Sequence, residues 1–255
     1  MFSCMPFSAA SGGADPLQEL RDLCVFAFNG DTSGFSGNDY APEVGTGLLQ
    51  RQTASQVTGK INQAVNISGS SNKVLVANAQ LNAYSPLFFK DANGADTDYT
   101  VSFWCSFDSF IQDSYLFHNR KVTPRGGYLF LWNRSSQKFV AVQQGLVNGV
   151  IKSINYNFDN PSLNTNTYHL FVFKYEAGTK TFTLKINNSA VNHTSIEDSG
   201  FVNKEMSESE IVLGAANGIN IPLRGSLDTT QVFNGMTTND QDALLWNSGN
   251  GIQLF

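Results

Sequence analysis

The sequence predicts an all-β fold, a two-sheet antiparallel sandwich, and residues 168–191 give the strongest indication. Between positions 168 and 175 nearly every side chain is apolar or aromatic, which is typical of a strand buried on both faces. After a turn containing Gly178, three apolar residues alternate with polar ones, so residues 181–186 are predicted to form a half-buried strand. Similar short apolar runs, joined by Asn, Ser and Gly, recur along the chain and complete the argument.

The same patterns predict the remaining elements in chain order. Asp15 before Pro16 is typical of a helix start, so a helix is predicted over Pro16–Leu23. Residues 237–240 resemble a helix cap, and a second short helix is expected over 241–246, ended by Gly249. The other strands are predicted at residues 24–28, 47–50, 61–67, 74–76, 99–107, 115–117, 127–132, 138–143, 150–158, 209–213, 225–232 and 252–255.

Composition narrows the class of protein and the kind of partner. The chain has 255 residues, of which 20 are Phe and 15% are charged, enough for one large β domain without disulfides. The net charge of -5 and the lack of a Lys/Arg cluster argue against nucleic acid or an anionic membrane as partners. Cys4, Cys24 and Cys105 show no metal-binding spacing. One disulfide and one free cysteine are possible, but we expect three free thiols, with Cys24 and Cys105 as small core residues.

The N-terminal residues form a separate segment. We divide the chain into an arm and short helix, residues 1–23, and a sandwich domain, residues 24–255. The apolar side chains of Met1, Phe2, Met5 and Phe7 are unusual for a solvated tail, so they are predicted to bind a neighbouring subunit or to fold back on their own domain. The segment lacks the basic and long apolar regions of a signal peptide, and folding in a cytoplasm is expected.

The order of segments resembles the concanavalin A-like, laminin-G-like jelly-roll domains, as found in phage virion proteins. The resemblance extends over residues 24–251 and implies two face-to-face sheets of six or seven strands, but no single function. The residues that carry it are 26–31, 36–38, 59–65, 68–70, 99–104, 168–191, 211–214, 225–228 and 245–251.

Catalysis is not expected. Glycoside hydrolysis requires two carboxylates about 5–10 Å apart, and the E-x-D-x-x-E run of hydrolytic relatives is missing from this sequence. Glu208 and Glu210 share a strand face, but solvated charge explains them. The three histidines, His118, His169 and His193, have no ligand spacing.

A calcium site is one candidate, because calcium binds carboxylate, amide and carbonyl oxygens. Asp31 and Asn38 lie in the loop after the first strand, and the resemblance places that loop near the strand that carries Asp228. The alternative is that Asp31 and Asn38 cap turns. No other cofactor is predicted.

A sugar-binding surface is a second candidate. Phe35, Tyr40, Trp132 and Phe158 lie on or beside predicted loops and could stack on a saccharide ring. The alternative is that they belong to the aromatic core that a Phe-rich sandwich needs.

Three functions remain open. The first is a non-enzymatic structural or attachment protein of a tailed-phage virion, in the capsid or tail, anchored by its arm within an oligomer or large assembly and able to contact cell-surface glycan. The second is a secreted, extracellular carbohydrate-binding module or adhesin. The third is a hydrolase with an unfamiliar site at Glu208 or Glu210.

Overall fold

The computed structural model describes residues 15–30, 39–40, 49–52, 54–61, 63–68, 73–76, 91, 95–118, 127–198, 200–201, 211–214 and 222–255. Two antiparallel sheets pack face to face. Sheet A has eight strands in the described part, in the order β14-β13-β12-β7-β17-β5-β4, with β1 also paired to β17. Its strands are β1 (Cys24–Phe28), β4 (Ser55–Thr58), β5 (Gln63–Asn66), β7 (Tyr99–Phe107), β12 (Tyr168–Glu176), β13 (Thr181–Ile186), β14 (Ser189–Ala190) and β17 (Gly225–Asn234).

Sheet B has nine strands in the described part, in the order β15-β11-β10-β9-β8-β16-β6-β3-β2. Both sheets are therefore larger than the six or seven strands that the resemblance implies. The strands of sheet B are β2 (Asp39–Tyr40), β3 (Leu49–Gln52), β6 (Lys73–Val76), β8 (Ser114–His118), β9 (Gly127–Asn133), β10 (Lys138–Val147), β11 (Val150–Phe158), β15 (His193–Glu197) and β16 (Ile211–Leu213).

The core lies between the two sheets and is rich in aromatic rings. Phe171 is central: its ring stacks on Phe103 at 5.3 Å and meets Phe139 at 5.1 Å. Cys24 and Cys105 are free and buried, as predicted. Burial raises the pKa of the Cys24 thiol to about 12, which suits an inert core residue. The apolar side chains that the sequence predicts to be buried in strands 99–107, 168–175 and 181–186 lie in this core: Phe103, Cys105, Phe171, Phe173, Phe182, Leu184 and Ile186.

Two short helices cover part of the outer face of sheet A. Helix α1 (Pro16–Leu23) begins as predicted, with Asp15 accepting a hydrogen bond from the Leu17 backbone N–H at 3.1 Å. Helix α2 (Asn239–Trp246) packs its Trp246 on Trp104 of β7, with ring centres 5.5 Å apart. A second apolar cluster, which includes Leu20 and Leu245, holds both helices on the sheet. The outer face of sheet A is thus partly a helix–sheet interface.

One predicted strand is absent from the structure, and four strands, β2, β4, β14 and β15, were not predicted. Residues 252–255 were predicted to form a strand, but they make no ladder; Leu254 is buried among the helices, and its carbonyl accepts a hydrogen bond from Arg21 Nε at 3.0 Å. Strand β15 was not predicted, because all five of its residues are exposed and show no apolar alternation. Burial against helices explains the first difference, and pairing to β11 at a sheet edge explains the second.

Candidate functional site

An open groove of about 830 Å³ lies at the edge of the sandwich, beyond the start of α2. Strands β12, β13 and β14 form its floor, the loop before α2 forms one wall, and the turn from β14 into β15 forms the other. Its lining mixes polar groups such as Thr183 and Asn192 with small apolar surfaces at Ala190 and Met236. Such a mixture in an open cleft is typical of a surface that recognises a polar ligand.

The groove exists because α2 covers only part of the outer face of sheet A. Leu170 and Val172, on β12, lie in the apolar cluster beneath the helices. One position further along the same face comes Lys174, with Thr183 opposite it on β13. Lys185 lies opposite Val172. Polar side chains therefore begin on this face of the sheet at the point where α2, at its N-terminal end, no longer covers it.

Lys174, Lys185 and Asp242 form a charged cluster at the junction of α2 and the groove. Both ammonium groups contact the same carboxylate oxygen, Asp242 Oδ2, at 2.6 Å from Lys174 Nζ and 2.7 Å from Lys185 Nζ. The other oxygen, Oδ1, accepts a hydrogen bond from the Thr237 hydroxyl at 2.6 Å. Lys174 Nζ also donates to the Thr237 carbonyl at 2.6 Å, and Lys185 Nζ donates to Asn239 Oδ1 at 2.7 Å.

The cluster contains more positive than negative charge. Asp242 is fully buried, whereas the Lys185 side chain keeps 19% of its surface exposed. Two ammonium groups against one carboxylate leave one net positive charge beside the groove. Burial lowers the pKa of Lys174, and the hydrogen bond and charge of Asp242 oppose that shift.

Local capping and turn residues hold both walls of the groove in place. Thr238 caps α2 in a reciprocal capping box with Gln241, which holds the loop before the helix. Asn187 and Asn188 adopt φ values of 52° and 61°, as a tight hairpin turn requires, and this turn brings Ala190 opposite Lys185. Asn187 Oδ1 also accepts from the Leu170 backbone N–H at 3.0 Å, which ties the turn to β12.

The aromatic residues proposed for sugar stacking do not form a surface. Trp132 is 2% exposed and Phe158 is fully buried, both within the core between the sheets. Their assignment to a ligand surface was wrong, because strands β9 and β11 turn these side chains inward. Phe35 lies outside the described residues, and only the backbone of Tyr40 is described, in β2.

Asp228 has a structural role. Its Oδ2 accepts hydrogen bonds from the backbone N–H groups of Lys60 and Ile61 at 2.6 and 2.8 Å, and its Oδ1 accepts from the Thr229 hydroxyl at 2.8 Å. A Cβ at Gly59 would lie 2.5 Å from Oδ2, so the turn at 59–61 needs glycine there. Burial raises the pKa of Asp228, and these hydrogen bonds oppose the shift. The carboxylate therefore clamps this turn.

The calcium prediction stays a prediction. Asp31 and Asn38 lie outside the described residues, as do Glu208, Glu210 and the four apolar arm residues Met1, Phe2, Met5 and Phe7. Among the described residues, no three His, Cys, Asp or Glu side chains come together as a metal site would require. Asp228 Oδ2 already accepts two hydrogen bonds, so a cation at this carboxylate would have to use a remaining lone pair of Oδ1.

A family model of the concanavalin A-like lectin/glucanases superfamily matches residues 79–241. The chain belongs to this superfamily. Solved structures agree with this assignment at the level of the fold. The botulinum neurotoxin serotype D binding domain superposes with a TM-score of 0.60 at 16% identity, and the match covers 92% of this chain and 53% of that one. The present chain thus spans about half the length of the neurotoxin binding domain.

Two further structures share the superfamily fold. Trypanosoma rangeli sialidase, in complex with a difluorinated nononic acid, has a TM-score of 0.59 at 10% identity and covers 91% of this chain and 34% of its own. Domain 4 of an extracellular arabinanase from Geobacillus stearothermophilus, in complex with arabinotriose, has a TM-score of 0.53 at 14% identity, and the match covers 86% of this chain and 95% of that domain.

A comparison with curated proteins finds no match. No helix in the described part of the chain is long and apolar enough to cross a membrane.

Proposed function

We propose that this protein is a non-enzymatic carbohydrate-recognition domain that binds a saccharide in the groove between β14 and α2. The observation that carries the proposal is the groove itself. Its volume of about 830 Å³ can hold a short saccharide, since pockets for ligands of that size are about 300–1,000 Å³. Hydroxyl and amide groups of Thr183, Asn192, Thr238 and Asn239 offer the directed hydrogen bonds that sugars need.

Two of the structural neighbours support a saccharide as ligand. The arabinanase domain was solved with arabinotriose, and the sialidase with a sugar-acid analogue. The third neighbour, from the botulinum neurotoxin, is a binding domain. A binding module rather than a whole enzyme is the simplest function that these three proteins suggest for the present chain.

Binding without hydrolysis is favoured by the charges of the groove. Among its described lining residues there is no Asp or Glu, and the carboxylate that contacts its two lysines, Asp242, is buried. Glycoside hydrolysis needs a pair of carboxylates on either side of the bond. The described groove has the groups for holding a sugar and lacks those for cleaving one.

The test is binding of the protein to a saccharide array, with one variant that fills the groove. Thr183→Trp places a large ring on the groove floor, where Thr183 is exposed, and should abolish binding. Ser135→Trp, in the exposed turn between β9 and β10, is the matched control and should bind as the parent does. Failure of the parent to bind any saccharide, or equal binding by Thr183→Trp, would overturn the proposal.

We also propose a setting for this domain, attachment in a tailed-phage virion. The apolar residues Met1, Phe2, Met5 and Phe7 support an anchor that docks the domain into a larger particle. The particle would fold and assemble in the host cytoplasm and meet cell-surface glycan outside. An extracellular adhesin is the alternative setting, and purification of particles that contain the protein would decide between the two.

A further inference from the structure

We propose that the saccharide bound in the groove is anionic, and that its carboxylate or sulfate pairs with Lys185 at the Lys174–Lys185–Asp242 cluster. This inference rests on the proposed carbohydrate recognition and specifies the chemical class of the ligand. It starts from a mismatch of charge. One buried carboxylate faces two ammonium groups, and both lysines border the same open groove.

Lys185 has a free donor for such a ligand. An ammonium group carries three N–H bonds, and two of those on Lys185 go to Asp242 Oδ2 and Asn239 Oδ1. The third is available on a side chain that remains 19% exposed. The two contacts also fix the position of the ammonium, so a ligand would meet an ordered donor and lose little side-chain entropy on binding.

Lys174 reinforces the same charge from below. Its ammonium donates to Asp242 and to the Thr237 carbonyl, and its side chain is almost fully buried. A lysine is seldom buried unless it is paired, and here one partner serves two lysines. Because Lys174 and Asp242 are almost fully buried, the excess charge of the cluster is screened less than a charge on an exposed side chain would be.

The cluster also contrasts with the rest of the molecule. The chain has a net charge of -5, which repels anions at long range. The described lining of the groove nevertheless contains two lysines and no carboxylate. The groove therefore carries local positive charge on a protein whose net charge is negative, as expected for a surface that selects an anionic group.

The experiment is a saccharide array that holds carboxylated, sulfated and neutral members, probed with the parent, Thr183→Trp and three further variants. Lys185→Gln can still donate hydrogen bonds to Asp242 while it removes the excess positive charge. It should lose about tenfold or more in affinity for the anionic saccharides that the parent binds. Lys185→Arg keeps the charge and should retain binding. Lys138→Gln removes a lysine from the exposed ion pair with Asp159 on sheet B, changes the net charge equally, and should have no effect.

The outcomes separate the inference from the function on which it rests. Binding of anionic members, weakened by added salt and by Lys185→Gln, supports the inference, and the carboxylated and sulfated members show which anion is preferred. If the parent binds only neutral saccharides and Thr183→Trp abolishes this binding, the proposed function stands and the anionic ligand is refuted. If Lys185→Gln binds like the parent while it melts at the same temperature, the role of Lys185 is refuted. If no saccharide binds, the proposed function itself fails.

Discussion

Asp228 offers a direct test of how one carboxylate holds this fold together. In Asp228→Ala the backbone N–H groups of Lys60 and Ile61 lose their acceptor. A donor left unsatisfied costs about 1–3 kcal/mol, and because water can reach this partly buried turn, we expect a total loss near the lower end, about 2–4 kcal/mol for both. The turn also carries Lys60, whose ammonium lies 5.6 Å from the Trp104 ring centre, so tryptophan fluorescence should report the change.

Asp228→Asn is the matched control. Its amide oxygen can accept from both backbone N–H groups, and the Thr229 hydroxyl can turn to accept from the new NH₂. Since the charge that was costly to bury is also removed, we expect a stability within about 1 kcal/mol of the parent. Urea unfolding with an unchanged slope is the measurement. Equal loss in both variants, or no loss in Asp228→Ala, would refute the clamp.

The pH dependence follows from the same carboxylate. Burial raises the folded-state pKa of Asp228 above its ordinary value of 3.8, so the folded state binds this proton more readily than the unfolded state. Protonated Asp228 therefore stabilises the folded state fully below pH 3.8, and this stabilisation is lost as the pH rises through the folded-state pKa. The parent should therefore gain stability relative to Asp228→Asn as the pH falls from neutral toward 4. The opposite trend would show that the hydrogen bonds outweigh desolvation.

Three further predictions follow. Phe171→Ala removes a fully buried ring stacked on Phe103 and should lower the free energy of unfolding by about 3–5 kcal/mol. Phe255→Ala, at a residue that is 39% exposed, is the control and should lower it by less than about 1 kcal/mol. Similar losses for the two variants in urea unfolding would contradict this prediction. If Asp31, Asn38 and Asp228 bind calcium, a chelator should lower the melting temperature and calcium should restore it; no shift in either direction would return Asp31 and Asn38 to turn capping. Deletion of residues 1–13 should leave the melting temperature nearly unchanged and abolish oligomerisation or incorporation into a particle, as size-exclusion chromatography can show; normal assembly would place the anchor elsewhere.

The strands that the sequence predicts well are those whose side chains alternate or are apolar throughout. Strands β7, β11 and β13 have the predicted limits, because burial on a sheet imposes a period of two that is visible in the residues themselves. Strand β15 has no such pattern, since it lies at an edge with every residue exposed. Residues 252–255 have apolar side chains for a different reason, which is packing against helices.

The groove was harder to predict because its parts come from distant positions. Lys174, Lys185 and Asp242 meet through the pairing of β12 with β13 and the docking of α2, neither of which a local pattern reveals. One signal was present: Lys174 interrupts an otherwise apolar run, and a lysine on a buried strand implies a charged partner. The aromatic residues misled for the opposite reason, because Trp132 and Phe158 satisfy the core and the surface patterns equally well.

The position of β17 has a consequence for the time course of folding. This strand lies beside β7, β5 and β1, so Cys24 pairs with Phe233 from the far end of the sequence. The edges of β1, β5 and β7 that pair with β17 therefore stay open until residues 225–234 have been synthesised. Because such distant contacts are slow to form, we expect folding over milliseconds to seconds, with the exposed edges of β7 and β5 as the segments most in need of chaperone protection during synthesis.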